Sequence, residues 1–84
     1  MNNKHRKTLR LLTTGQEKAN VSWRDIESLF HALGAVVSER EGSRVAVLLN
    51  GVAAVFHRPH PLNETDKGAL KSVRRFLENA GVRS

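Results

Sequence analysis

The sequence has no cysteine and no tyrosine, and its 84 residues include one tryptophan, one methionine and two prolines. Without cysteine there can be no disulfide framework, so a small secreted scaffold held by cross-links is excluded. The four histidines, His5, His31, His57 and His60, have no partners at zinc-ligand spacing, so neither a metal nor a cofactor is expected. No apolar run exceeds the length of Val45–Leu49, far below the ~20 residues that span a bilayer. The basic start Lys4-His5-Arg6-Lys7 is not followed by the apolar core of about 7–15 residues that a signal peptide needs. A chain this short buries only about 60–65% of its unfolded surface, so the core is thin and single. The expectation is one soluble, cytoplasmic domain with no membrane contact.

Acidic residues are also scarce: 8 Asp+Glu face 14 Lys+Arg, leaving a net charge of +6. The excess is uneven. Residues 1–18 hold Lys4, Arg6, Lys7, Arg10 and Lys18 against Glu17, a net +4. Residues 19–57 are nearly neutral at −1, and residues 58–84 return to +3 through Arg58, Lys67, Lys71, Arg74, Arg75 and Arg83. Two basic ends around a neutral middle suit an anionic partner, with nucleic acid the commonest. A solvated charged surface is the plain alternative.

The spacing predicts a short basic helix over Lys4–Thr14, anchored by Leu9, Leu11 and Leu12, followed by a polar linker to Asn20. This segment, residues 1–20, reads as either a docked helix or a mobile arm preceding a domain over 21–84. Ser22 suits a helix N-cap with Asp25 three residues on, and Val21 and Ile26 form a hydrophobic staple. Trp23, Ile26, Leu29, Phe30 and Leu33 recur at helical spacing, and Gly34 stops the helix. Strands follow over Ala35–Glu41, Arg44–Leu49 and Val52–His57. Gly42-Ser43 separates the first two, and Asn50-Gly51, a strong hairpin signal, the last two. A final helix starts near Asn63–Asp66 and runs to about Asn79, with Gly81 as its stop. The fold class is α+β: a three-stranded antiparallel sheet with two helices on one face, in the order α-β-β-β-α, plus an N-terminal helical extension.

The Asn50-Gly51 turn fixes a register. Leu49 pairs with Val52, Val47 with Ala54 and Val45 with Phe56, and this bulkier set faces the helices. The opposite face carries Ala46, Leu48, Ala53 and Val55, an open apolar patch suited to a protein partner or to homo-oligomerisation, unless the N-terminal helix shields it. Arg44 and His57 end that face side by side. A two-residue Gly42-Ser43 turn adds Glu41 to the row, and turns Val36 and Arg40 inward. On the final helix Lys67, Lys71, Arg74 and Arg75 form one cationic stripe, and Lys67 with the free N–H groups of the helix start suits a phosphate.

From about Asp25 to Val82 the chain presents, in order, Glu41-Gly42-Ser43-Arg44, Phe56-His57-Arg58-Pro59-His60-Pro61, Lys67-Gly68-Ala69-Leu70-Lys71-Ser72-Val73 and the terminal Ala80-Gly81-Val82. With the order of elements, these motifs make the sequence similar to the HicA toxins of type II toxin–antitoxin modules. The resemblance implies a fold like the double-stranded-RNA-binding domain, mRNA binding and metal-free mRNA cleavage, and a HicB-type antitoxin that holds the toxin inactive. It also implies a catalytic histidine directly after the Gly-Ser turn, where this sequence has Arg44.

Metal-free RNA cleavage needs a base for the 2′-hydroxyl and a cation at the phosphorane. Arginine serves the second role but holds its proton far above neutral pH, so it is a poor base. His57, paired with position 44, becomes the candidate base, Arg44 the phosphate clamp and His60 the reserve base. The candidate RNA contacts are Ser43, Arg58, Lys67, Lys71, Arg74 and Arg75. The leading reading is a HicA-like mRNA interferase; a non-catalytic RNA-binding module or a protein-interaction domain on the same fold is the alternative.

Overall fold

In the computed structural model, residues 2–14, 21–59 and 64–82 are described. They form α1 (Asn3–Thr13), α2 (Trp23–Ala32), β1 (Val36–Arg40), β2 (Arg44–Leu49), β3 (Val52–His57) and α3 (Lys67–Asn79). The strands make one antiparallel sheet in the order β1-β2-β3. The α+β fold is therefore the one expected, with α1 preceding it.

Local chemistry sets the helix ends. Ser22 caps α2 by accepting from the Asp25 N–H at 3.2 Å, and Asp66 caps α3 by accepting from the Ala69 N–H at 2.7 Å. Gly34 and Gly81 both take positive φ, where a side chain is disfavoured, and each closes its helix by the same pair of bonds. Gly34 and Ala35 donate to His31 and Phe30; Gly81 and Val82 donate to Glu78 and Leu77.

All four Trp and Phe side chains of the chain meet in one cluster at the junction of α2, β3 and α3. Phe56 lies 5.9 Å from Trp23, 5.8 Å from Phe30 and 5.6 Å from Phe76 between ring centroids. Such pairs add ~0.5–1.5 kcal/mol each beyond area burial. Val45, Val47 and Leu49 of β2 and Val73 and Leu77 of α3 complete the core and are buried.

Trp23 also starts a part-buried polar link. Its indole N–H donates to Glu27 at 2.7 Å, and Glu27 accepts from Arg58 Nε at 2.8 Å. Arg58 reaches on to Glu39 at 2.9 Å. Its guanidinium is thus held between α2 and β1, and the bonds to Glu39 and then Glu27 raise its pKa above the ordinary arginine value.

The β2–β3 register is the expected one, with Arg44 opposite His57, Val45 opposite Phe56 and Leu49 opposite Val52. The β1–β2 register corrects the sequence reading. Glu41-Gly42-Ser43 is a three-residue loop, with Gly42 and Ser43 at φ 69 and 63, and Arg40 pairs with Arg44. The one-residue difference inverts β1, because side chains alternate with period 2. Val36 faces outward at 58% exposure instead of inward. Arg40 joins the open face, and Glu41 lies in the turn instead of beside Arg44.

Of the two forms left open for the N-terminal segment, α1 takes the docked one. Leu9 and Leu12 are buried, and α1 packs against α2 and α3. Lys4 pairs with Asp25 at 3.1 Å, and His5 Nε2 lies 2.7 Å from the Ser28 hydroxyl. Because α1 sits on the helices, it does not shield the open sheet face, where Leu48 and Val55 are 46% and 59% exposed.

Two stability measurements follow from this packing. In urea denaturation, Leu12→Ala is expected to cost ~2–4 kcal/mol, while Arg6→Ala, on the exposed side of α1, stays within about 0.5 kcal/mol. Arg58→Ala strips a partner from half-buried Glu27 and is expected to cost ~1–3 kcal/mol.

Candidate functional site

Arg40, Arg44 and His57 lie in one row across the three strands, all exposed and all on the open face. The backbone fixes how close they stand. The Arg58 N–H donates to the Ser43 carbonyl at 2.8 Å, so the adjacent Arg44–His57 pair is the non-hydrogen-bonded kind, whose side chains approach most closely. Arg44 is further oriented by the turn, since its Nε donates to the Glu41 carbonyl at 3.0 Å. Two guanidinium groups directly opposite each other repel, at a cost of a few tenths of a kcal/mol or more. An anion between them removes that cost.

Above the row the face turns apolar. Ala46, Leu48, Ala53 and Val55 lie together as expected, and Val36 joins them through the corrected register. The apolar patch and the cationic row are thus continuous on one surface. Arg40 and Val36 are the residues that sequence reasoning missed. The three-residue Glu41-Gly42-Ser43 loop was the available signal, since such loops carry a residue in the left-handed region.

The second cationic surface is the α3 stripe. Lys67, Lys71 and Arg75 are exposed and Arg74 is half-buried. Among the described residues the ion pairs are those of Lys4 and Arg58, so no stripe cation is within ion-pair distance of a described carboxylate. Lys71, Arg74 and Arg75 line a basin shared with Glu78 and with Thr13 and Thr14, the last residue of α1 and its C-cap. Lys71 and Arg75 also line a second cleft that runs along β3 from Val52 to Phe56. Phe56 and Gly68 share that cleft, so the start of α3 lies beside the end of β3 that carries His57. At that start the Asp66 carboxylate accepts the Ala69 N–H at 2.7 Å, and the Lys67 side chain is exposed beside it.

The remaining candidates separate. Arg58 is enclosed by Glu27 and Glu39, so its charge is balanced within the fold. Ser43 contributes a turn with positive φ and a carbonyl that holds Arg58. His60 lies outside the described residues. His5 is engaged with Ser28 in α1 docking. Among the described residues no three His, Asp or Glu side chains converge as metal ligands would, and no helix is long and apolar enough to cross a membrane.

Comparison with known proteins places this geometry in a family. Neither a curated protein nor a solved structure matches the chain significantly. Residues 23–82, which include both cationic surfaces and exclude α1, match the family model described as HicA toxin of bacterial toxin-antitoxin. With well over half of its length matched, the chain belongs to the HicA toxin family of bacterial toxin–antitoxin systems.

Proposed function

We propose that the protein binds mRNA and cleaves it without a metal, arresting translation in the cytoplasm until a HicB-type antitoxin masks it. The observation that carries this reading is the row of Arg40, Arg44 and His57 beside the Gly42-Ser43 turn. The family resemblance puts its catalytic histidine directly after that turn, where this chain has Arg44, and His57 supplies an imidazole from the facing strand. In the proposed reaction His57 takes the proton of a ribose 2′-hydroxyl and the 2′-oxygen attacks the adjacent phosphorus. The bond from phosphorus to the 5′-oxygen breaks, and that oxygen takes a proton from water. A 2′,3′-cyclic phosphate and a 5′-hydroxyl end result. Arg44 and Arg40 offset the charge that grows on the phosphorane. His60 is the reserve base.

Ser43 of the turn and the α3 stripe, Lys67, Lys71, Arg74 and Arg75, are the proposed backbone contacts, with Arg58 supporting the site from behind. Since every Trp and Phe ring lies in the core, none is offered to stack on a base. Recognition then runs through phosphates and 2′-hydroxyls and carries little sequence preference. The antitoxin is proposed to cover the open sheet face or the basic stripe.

A second reading, RNA binding without cleavage, is favoured by one observation, the arginine at the position of the family's histidine. One assay on purified protein and mRNA separates the two. Cleavage is expected to persist in EDTA and to fall about 10²–10⁴-fold in His57→Ala and about 10²–10³-fold in Arg44→Ala. Activity unchanged from that of the unaltered protein in both variants contradicts the assignment, and binding without cleavage by the unaltered protein establishes the second reading. RNA affinity is expected to fall steeply with salt. The slope of log affinity against log salt should drop by roughly 1–2 in a Lys71→Ala, Arg75→Ala double variant; an unchanged slope removes the stripe from the interface.

A further inference from the structure

The two edges of the sheet are unequal. Natural sheets guard their edges with charges, proline, bulges or a covering element. β1 is guarded: it carries Glu39 and Arg40 within Val-Val-Ser-Glu-Arg, and Glu39 is tied to Arg58 across its end. β3 is not. Its sequence, Val-Ala-Ala-Val-Phe-His, has no Lys, Arg, Asp, Glu or Pro. The β2–β3 ladder uses the backbone groups of Val52, Ala54 and Phe56, as the bond from Arg58 to Ser43 and the antiparallel alternation require. The N–H and C=O groups of Ala53, Val55 and His57 therefore point away from the sheet.

Those outward groups do not face bulk solvent alone. Between β3 and α3 runs a cleft of about 310 Å³, lined by Val52–Phe56 on one side and by Gly68, Lys71, Ser72, Arg75, Phe76 and Asn79 on the other. With Phe76 buried in the core, the exposed part of its α3 wall is small, polar or cationic, and its charges are those of Lys71 and Arg75. On the other side of the same strand lies the apolar patch of Leu48, Ala53, Val55 and Val36.

We propose that β3 is a docking edge for an extended segment of a partner protein, one that alternates acidic and apolar residues and adds a fourth strand to the sheet. Side chains of an added strand alternate between the two faces. One set meets Lys71 and Arg75, which selects carboxylates, and the other extends the apolar patch. A second copy of this chain fits less well. Joining two β3 edges brings the Lys71 and Arg75 pairs of both copies to the same side of the seam, in a protein of net charge +6. The proposal rests on the edge and the cleft and holds whether or not the protein cleaves RNA.

The test uses the full chain and a synthetic eight-residue peptide alternating glutamate and valine, read by fluorescence anisotropy and backbone amide hydrogen exchange. Saturable binding at low ionic strength is expected, with exchange at Ala53, Val55 and His57 slowed about tenfold or more. The same peptide N-methylated at alternate residues keeps its charge but cannot form the ladder, and should bind at least roughly tenfold more weakly. Lys71→Glu with Arg75→Glu, both exposed, should weaken the unmodified peptide by a similar factor. The proposal is overturned by no saturable binding up to about 1 mM, or by equal binding of the N-methylated peptide. It is also overturned by protection of those three amides in a dimer without peptide, or by the same protection from a single-stranded RNA that displaces it.

Discussion

Phe56 is the residue on which the architecture turns. It projects from β3 into the one place where α2, α3 and the sheet meet, and its ring touches each of the other three aromatic rings in the chain. Trp23 and Phe30 position α2 and Phe76 positions α3 around it. Drawing every Trp and Phe to one face of a three-stranded sheet leaves the other face with aliphatic residues, Ser38, and the charges at its end. The open face is therefore mainly charged or aliphatic and carries no aromatic ring, a division that suits an anionic polymer or an extended chain.

The same division explains the role of the loop between β1 and β2. With β2 anchored by its inward residues Val45, Val47 and Leu49, the length of the Glu41-Gly42-Ser43 loop decides which side chains of β1 share its outer face. Three residues put Arg40 next to Arg44 and His57; two would have put Glu41 there and made the row partly self-neutralising. The choice converts a mixed-charge strand end into a cationic one. Arg58 serves this from the core side, tying α2, the Ser43 carbonyl and β1 together beneath the row.

Much of this was legible in the sequence, for reasons that differ by element. Ser22, Asp66, Gly34 and Gly81 announce the ends of α2 and α3 because capping is a local affair of three to six residues. Asn50-Gly51 fixes the second hairpin because a two-residue loop with both residues at positive φ admits one register. The first hairpin was ambiguous because Val36 and Val37 are both apolar, so alternation could not choose a face. Arg58 was read as an RNA contact, since its carboxylates lie 31 and 19 residues away in sequence and only the fold brings them together. The docking of α1 is likewise a tertiary fact: Leu9 and Leu12 show an apolar side but not what it packs on.

The account's central claim is that the cationic row at the sheet end receives an RNA phosphate. Its most direct measurement is a nuclear magnetic resonance titration of labelled protein with 2′-O-methyl RNA, which presents phosphates but no reactive hydroxyl. The account predicts saturable, salt-sensitive shifts of the Arg40 and Arg44 side-chain N–H signals and of the His57 ring, together with the α3 stripe. Shifts confined to other surfaces, with those three side chains unmoved at saturation, would contradict it.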